Sequence, residues 1–315
     1  MSSPYRQRLS QAIPVIIGLS LFGLSIWTIS QQFRHYHPRQ VLENLQAIPQ
    51  QSVLMATGLT LLNYIMLTGY DTLAVRLVGS SLAYRQTALV AVISYAISNS
   101  VGFALLSGSA IRYRFYARWG LSKVTIAQII AFCNLSFWIG LFAVGGVLFL
   151  VNPPYVPDLL NLPFDSIHSL GILFLACVLG YLGWSAVNTK RRLRIGRWEL
   201  PHVPLKLALR QIVLTAADWA LATGVLYLLL PASIPVSYAS FFGIYMLAQL
   251  AGIVSNVPGG LGVFETVILL ILSPPVGSAD LLGALLAYRS IYYFLPLISA
   301  VLLFSLYESK QKFWK

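Results

Sequence analysis

A polar, glycine-rich break interrupts strongly apolar sequence near the C-terminal end of the chain. It runs from Ser255 to Glu265 and reads SNVPGGLGVFE. In a lipid bilayer every backbone donor and acceptor needs a partner, so irregular backbone is tolerated only where protein or a water-filled cavity surrounds it. The break therefore predicts a site at membrane depth. A shorter break, Ser98-Asn99-Ser100-Val101-Gly102, lies in the first half of the chain.

The sequence around the breaks is too apolar for a water-soluble protein. Hydrophobic residues make up 57% of the chain and charged residues only 10%, which excludes a soluble globule and predicts an all-α, polytopic membrane protein. In a soluble protein the net charge of +12 would suggest a nucleic-acid partner. Here it indicates cytoplasmic loops that follow the positive-inside rule, so we predict no nucleic-acid partner.

Six apolar segments are long enough to cross a hydrocarbon core of roughly 30 Å as helices. They are Ala12–Ser30, Val53–Val78, Val124–Val151, Ile167–Val187, Leu207–Leu230 and Leu281–Leu306. With both termini in the cytoplasm, the basic clusters all fall on the cytoplasmic side, above all the stretch Lys190–Lys206. This pattern predicts a multi-pass membrane protein with both termini in the cytoplasm.

The two breaks divide the remaining apolar regions into short arms. Within Gln86–Ile111 the break at Asn99 leaves two arms of about twelve residues, each about 18 Å long and too short to span the bilayer. We therefore predict a re-entrant hairpin. The alternative is one continuous span with a polar kink, which would place the basic cluster after Ile111 outside the cell. Tyr238–Leu272 is predicted to form the second hairpin.

The two halves of the chain repeat this order of segments with opposite orientation. The halves run from about 53 to 151 and from about 207 to 307, and they indicate an inverted repeat within a single transmembrane domain, 1–315. No soluble stretch exceeds about 20 residues, so we predict no soluble domain. In transporters with such repeats, substrate sites lie where the broken helices meet near the bilayer midplane.

Charged residues within apolar segments point to the same site. Asp71, Asp218, Glu265 and Arg289 would each cost about 2.5 to 3.5 kcal/mol at a helix centre, so they should face a cavity or one another. The alternatives are an interfacial position for Asp71, and for Glu265 an ion pair with Arg289 or a place near a helix N-terminus.

Other candidates also have a structural alternative. The alternative for Arg112 and Arg114 is that they are ordinary charges of a cytoplasmic loop. The alternative for Asn99 and Asn256 is that they cap helices. We interpret Tyr292 and Tyr293 as interfacial or packing residues rather than a ligand cage. Cys133, Cys177 and the four histidines show no metal-ligand spacing, so no metal or cofactor is predicted.

Two groups of residues carry a family resemblance. Gly108-Ser109-Ala110-Ile111-Arg112 with Phe115-Tyr116 and Gly120-Leu121-Ser122, and the run Asn256–Glu265, resemble the lysylphosphatidylglycerol synthase transmembrane family. That family includes the membrane half of the bacterial multiple peptide resistance factor. The resemblance implies a lipid-translocating fold in which Asp71, Arg112, Asp218 and Glu265 match the polar positions along the route. In the full-length factor a soluble domain transfers the amino acid from tRNA. No soluble stretch predicted here is long enough for such a domain, so we expect a separate enzyme to make any aminoacylated lipid.

The predicted function is a flippase for an anionic or aminoacylated membrane phospholipid. The alternatives are a lipid- or polyprenyl-modifying enzyme with Asp71 or Glu265 as general base, or a non-catalytic membrane accessory protein. Which lipid is moved, in which direction, and whether the chain forms a homo-oligomer stay open. The predicted substrate-binding residues are Asp71, Asn99, Arg112, Arg114, Asp218, Asn256, Gly259, Gly260, Glu265 and Arg289.

Overall fold

The described part of the chain is a bundle of α-helices. The computed structural model describes residues 38–101, 104–154, 166–187, 193–195, 198–200, 202–255, 257–272 and 278–312. The helices are α1 (Pro38–Ala47), α2 (Gln50–Leu77), α3 (Tyr84–Val101), α4 (Ala104–Arg118), α5 (Lys123–Val151), α6 (Ile167–Val187), α7 (Leu205–Leu229), α8 (Tyr238–Val254), α9 (Val263–Leu272), α10 (Ser278–Tyr288) and α11 (Leu295–Lys312). Two short strands, β1 (Leu193–Ile195) and β2 (Trp198–Leu200), pair antiparallel between α6 and α7.

Five helical segments among the described residues are long and apolar enough to cross a membrane. They are Gln50–Leu77, Lys123–Val151, Ile167–Val187, Leu205–Leu229 and Asp280–Ser309. The 28 residues of α2 reach about 42 Å, more than the hydrocarbon thickness. This confirms an all-α, polytopic membrane protein. The sixth predicted span, Ala12–Ser30, lies outside the described residues, and the total number of spans and the inverted repeat stay predictions.

Local sequence explains where several helices begin and end. The side chains of Ser122 and Ser237 accept hydrogen bonds from backbone amides three residues on and cap the N-termini of α5 and α8. After α2 and α4 the chain turns at Gly79 (φ 69°) and Gly120 (φ 84°). In both turns the amides of the glycine and of the next residue bond back to the last turn of the helix, which is the Schellman arrangement.

Helices α3 and α4 form the first hairpin. Residues that precede Val101 contact residues that follow Ala104 at a similar distance along the chain. A Cβ at Gly108 would lie 2.3 Å from the Ser98 hydroxyl, and the Arg112 guanidinium lies 4.6 Å from the centre of the Tyr95 ring. The chain therefore folds back on itself and does not continue as one kinked helix.

The arms of the first hairpin differ from the sequence-based expectation. They contain 18 and 15 residues, rather than about twelve each, and reach about 27 and 23 Å. Asn99 lies inside α3 rather than at the break, because a polar side chain does not interrupt the backbone hydrogen bonds of a helix. Both arms stay shorter than the roughly 30 Å of a hydrocarbon core.

The second hairpin is formed by α8, a short 3₁₀ turn (Pro258–Gly260) and α9. Three glycines with positive φ, Gly259, Gly260 and Gly262, allow the tight reversal. A Cβ at Gly259 would lie 3.5 Å from the carbonyl oxygen of Asn99. The tips of the two hairpins are therefore in contact, as the pairing of the two breaks predicts.

Buried side chains of the described residues form two hydrophobic clusters. One surrounds the first hairpin and includes Tyr70 and Phe115. The other surrounds the second hairpin and includes Trp219, Tyr245 and Tyr292. The hairpin tips meet between these clusters, and this junction holds the candidate site.

Candidate substrate site between the hairpin tips

A cavity of about 390 Å³ lies where the two hairpin tips meet. Both tips line it, through Asn99 on one side and Gly259 and Gly260 on the other. Its wall is aromatic, with a few polar groups. The aromatic lining residues are Tyr70, Tyr95, Phe137, Trp138, Trp219, Tyr245, Tyr292 and Tyr293, and the polar ones include Ser98, Arg112, Asn134, Asp218 and Gln249. Apolar cavities with a few convergent polar groups are typical of ligand sites.

Arg112 forms a buried ion pair with Asp71 beside the cavity. Its Nε and Nη2 donate to the two carboxylate oxygens of Asp71 at 2.9 and 2.8 Å, and the hydroxyl of Tyr116 donates to Oδ1 of Asp71 at 2.8 Å. Asp71 is fully buried within the protein. The pair connects the first hairpin to α2, and the Tyr95 ring covers the guanidinium.

Glu265 and Arg289 form a second buried ion pair, which holds the second hairpin tip. Arg289 donates from Nε to Glu265 at 2.6 Å and from Nη1 to the carbonyl oxygen of Gly259 at 3.0 Å. The other oxygen of Glu265 accepts from the amide of Gly262 at 2.8 Å, as in the side-chain half of a capping box. Both structural alternatives considered for Glu265 are therefore present.

Asp218 lines the cavity, and neutral side chains bind its carboxylate. Its oxygens accept from Nδ2 of Asn63 at 2.7 Å and from the hydroxyl of Tyr70 at 2.7 Å. Tyr292 in turn donates to Oδ1 of Asn63 at 3.0 Å. Among the described residues no Lys, Arg or His forms an ion pair with Asp218. Neutral hydrogen-bond donors therefore hold a carboxylate at the cavity wall.

A π-helical segment, Arg289–Phe294, joins α10 to α11. Such wide turns occur frequently at functional sites, because the extra residue changes which side chains face inward. Arg289, Tyr292 and Tyr293 are all buried here, and both tyrosines line the cavity. This placement excludes the interfacial position considered for Tyr292 and Tyr293.

The structure brings together most of the predicted site residues. Asn99, Arg112, Asp218, Gly259 and Gly260 line the cavity. The ion-pair partners Asp71, Glu265 and Arg289 hold these residues or the hairpin tips from behind.

One predicted residue does not join this group. Arg114 lies outside the cavity and pairs with Glu308 of α11 at 3.1 Å, because it faces the opposite side of α4 from Arg112. Asn256 lies outside the described residues.

Asn63 and Tyr70 bind Asp218 but are not among the residues predicted from sequence. These two residues are seven positions apart on α2 and so share one helix face. The sequence contains one signal for this pair, which is an asparagine within an apolar span followed two helical turns later by a tyrosine. The partner itself lies on α7, and only the packing of α2 against α7 brings the three side chains together.

Comparisons with known proteins show similarity to one family and to two proteins over most of the chain. Residues 15–300 match the family described as the lysylphosphatidylglycerol synthase TM region. An uncharacterised protein of Synechocystis is 52% identical over 305 residues, which cover 97% of this chain and 94% of that protein. The inner membrane protein YbhN of Escherichia coli is 32% identical over 262 residues, with 83% of this chain and 81% of that protein covered.

A longer relative is similar over only part of its length. The phosphatidylglycerol lysyltransferase of Staphylococcus xylosus is 23% identical over 327 residues, which cover all of this chain but 36% of that enzyme. The similarity therefore covers about a third of the lysyltransferase.

Proposed function

The chain belongs to the lysylphosphatidylglycerol synthase transmembrane family, and on that premise we propose that it moves a phospholipid between the leaflets of a membrane. The family match confirms the resemblance found in residues 108–122 and 256–265. The proposed substrate is an anionic or aminoacylated phospholipid. The proposed setting is the bacterial inner membrane, with both termini in the cytoplasm, and YbhN is an inner membrane protein by its name.

The two hairpin tips meet at a cavity that has a few polar groups in an aromatic wall, and this contact is the observation that carries the proposal. Interrupted helices that meet near the bilayer midplane are the usual architecture of sites in secondary transporters. Gly259 packs against the end of α3, and both tips line the same cavity as Arg112 and Asp218. Such an arrangement gives a polar headgroup a place in the hydrocarbon region.

Arg112 is the proposed ligand of the lipid phosphate. Its two hydrogen bonds to Asp71 use Nε and Nη2, so Nη1 is not engaged by that carboxylate. Guanidinium groups bind phosphate through strong, charge-assisted hydrogen bonds. The Tyr95 hydroxyl and the Trp219 indole N–H lack a hydrogen-bond partner among the described residues, although both side chains line the cavity. Since buried polar groups are normally satisfied, these two are further candidates to bind the headgroup or water.

The proposed roles of the acidic residues differ from those expected from sequence. The sequence predicts Asp71, Asp218 and Glu265 as substrate-binding residues. Asp71 and Glu265 are already engaged by Arg112 and Arg289. We assign them the role of positioning Arg112 and the second hairpin tip, which leaves Asp218 as the acid that faces the substrate.

The cavity size suits a headgroup with its acyl chains outside. A volume of about 390 Å³ lies at the lower end of the range for small-molecule sites. Trp138 of α5 and Val257 of the second tip line the cavity and are each 36% exposed, and the proposed entrance for the headgroup lies between them. The acyl chains would stay in the bilayer beside this opening. Any aminoacylated substrate would come from a separate enzyme.

Lipid translocation in proteoliposomes tests the proposal. Phospholipids with a fluorescent acyl chain are reconstituted with the purified protein, and a membrane-impermeant quencher reports the fraction in the outer leaflet over time. The double variant Asp71→Asn, Arg112→Gln removes both charges and leaves no unpaired buried ion. We expect it to lose translocation while keeping the wild-type elution profile.

Arg114→Ala is the matched control, because Arg114 lies two residues from Arg112 on the same helix but outside the cavity. It should translocate lipid at the wild-type rate. A wild-type protein that moves no phospholipid would reject the function. Undiminished translocation by the folded double variant would reject the role of Arg112.

A further inference from the structure

The three buried carboxylates around the cavity are held by different kinds of donor. Asp71 and Glu265 are each bound by an arginine. Among the described residues, the side chains that bind the Asp218 carboxylate are Asn63 and Tyr70, and both are neutral. A buried carboxylate without a charge partner is costly, and the usual relief is that it takes up a proton. Of the three acids, Asp218 is therefore the one best placed to bind a proton.

The hydrogen bond between Asp218 and Tyr70 can reverse its direction. The Tyr70 hydroxyl donates to Oδ2 of Asp218 at 2.7 Å. Because a hydroxyl has both a donor and acceptor lone pairs, a protonated Oδ2 can donate to the same tyrosine oxygen. A guanidinium group has donors only, so protonation of Asp71 would break a bond to Arg112 and leave a buried charge unpaired. The neutral partners of Asp218 thus suit both of its protonation states.

The other titratable groups around Asp218 do not change charge near neutral pH. The titratable and charged side chains that line the described cavity with Asp218 are Tyr70 of α2, Tyr95 of α3, Arg112 of α4, Cys133 of α5, Tyr245 of α8, and Tyr292 and Tyr293 of the π-helical segment. Tyr64 of α2 is a further neighbour of Asp218. From α10, Tyr288 bonds to the hydroxyl of Tyr245 at 2.7 Å, and α6 contributes no residue to the described lining. Tyrosine and cysteine side chains are neutral near pH 7 and arginine stays charged.

Electrostatic repulsion couples a proton on Asp218 to the lipid phosphate. Arg112, the proposed phosphate ligand, lines the same cavity as Asp218. If Asp218 is ionised, an incoming phosphate meets a like charge in surroundings of low dielectric, where repulsion is strong. If Asp218 is protonated, this repulsion is absent. Proton binding and headgroup binding therefore favour each other, and each raises the affinity for the other by the same factor.

We infer that Asp218 takes up a proton when an anionic headgroup enters the cavity, and that the chain carries one proton across the membrane with each lipid. The inference rests on the proposed function and adds its energy source. The proton comes from water on the side where the headgroup enters, binds Oδ2 of Asp218, and returns to water on the other side when the headgroup leaves. A lipid with one negative charge and one proton are neutral together, so the step moves no net charge.

The first experiment imposes a pH difference on proteoliposomes that contain the wild-type protein. The probe is an acyl-labelled phospholipid with a glycerol headgroup, and the quencher measures its distribution between the leaflets. With one proton per lipid, a difference of about one pH unit should drive an accumulation of up to about tenfold in the leaflet that faces the less acidic side. Reversing the pH difference should reverse the accumulation, whichever way the protein is inserted. Protein-free vesicles give the background.

The second experiment replaces the pH difference by a membrane potential, set with a potassium gradient and an ionophore. An anionic lipid that moves alone would follow the potential, whereas a lipid that moves with one proton should not respond. Even distribution under the pH difference, or a distribution that follows the potential, would overturn the inference and leave the proposed function standing. A wild-type protein that moves no lipid would reject the proposed function, and the inference with it.

The third experiment removes the proton site. Asp218→Asn resembles the protonated acid but cannot release a proton, so the accumulation under a pH difference should be lost and the distribution should follow the potential instead. Asp280→Asn is the matched control, since it makes the same chemical change at an exposed position at the start of α10. It should accumulate lipid as the wild type does.

Two results for Asp218→Asn would overturn the role of Asp218. One is an undiminished accumulation under the pH difference, and the other is a complete loss of translocation by a variant that keeps the wild-type elution profile. Asp218→Glu keeps a protonatable group and should retain the accumulation. The wild-type experiments need no variant, so they test the coupling even if Asp218→Asn does not fold.

Discussion

The guanidinium of Arg112 binds both carboxylate oxygens of Asp71, at 2.9 and 2.8 Å, and so fastens the first hairpin to α2. Arg112 thereby lines the cavity in one fixed orientation. A buried pair of this kind stabilises little in itself, since both ions lose hydration. Breaking it by removing one partner is costly, because the other charge stays buried.

The first prediction concerns the coupling between Asp71 and Arg112. Asp71→Asn and Arg112→Gln should each lower the free energy of unfolding by about 3 to 5 kcal/mol, and the double variant should lose much less than the sum of the two. Thermal unfolding of the four proteins in detergent measures this difference. Additive losses would show that the two side chains are not coupled.

The second prediction concerns the close contact between α8 and the second hairpin tip. A Cβ at Gly252 would lie 3.3 Å from the Cα of Gly260, so Gly252→Ala should displace the tip. Overpacking of this kind costs about 1 to 3 kcal/mol. At Gly58 of α2 a Cβ would meet nothing within 4 Å. Gly58→Ala should therefore be neutral or stabilise by up to about 1 kcal/mol, as helix propensity predicts. Equal unfolding temperatures for the two variants would contradict this packing.

The third prediction concerns the ion pair that holds the second tip. Glu265→Gln removes the charge that binds Arg289, while the side-chain oxygen can still accept from the amide of Gly262. The tip should then open more often, and hydrogen–deuterium exchange should speed up across residues 257–262.

Glu308→Gln serves as the comparison for Glu265→Gln. It removes ion pairs with Arg114 and Arg118, whose side chains are partly exposed, so the loss should stay below about 1 kcal/mol. Unchanged exchange in the Glu265→Gln tip would mean that the ion pair does not hold the loop.

The fourth prediction concerns the π-helical segment. Deleting Ser290 should convert the wide turn to an ordinary α-helical one and rotate α10 relative to α11 by about 100°. Arg289 would then no longer face Glu265, and lipid translocation should be lost while the helix content by circular dichroism is kept. Ser290→Ala removes only a hydrogen bond to the carbonyl oxygen of Leu286 and should behave as wild type. Full transport by the deletion variant would show that the segment's register does not matter.

Local sequence was sufficient to predict some features of the site and insufficient to predict others. The positions of both interruptions followed from polar and glycine residues within apolar sequence, because such residues are tolerated in a bilayer only beside a cavity or other protein. The predicted lengths of the first hairpin's arms were wrong, because Asn99 is compatible with a helix and does not end α3. The π-helical segment had no local signal, because RSIYYF differs little from ordinary helical sequence.

The sequence by itself determined that the chain is a helical membrane protein, where most of its spans lie, and which polar residues lie in apolar surroundings. These features follow from the hydropathy of contiguous residues, which is a local property. Tertiary structure alone decided which charges are neutralised. Asp71 and Glu265 meet arginines, whereas the described side chains that bind the Asp218 carboxylate are Asn63 and Tyr70. The physical reason is that the charge balance of a buried group depends on neighbours contributed by other helices, and no pattern along one segment encodes them.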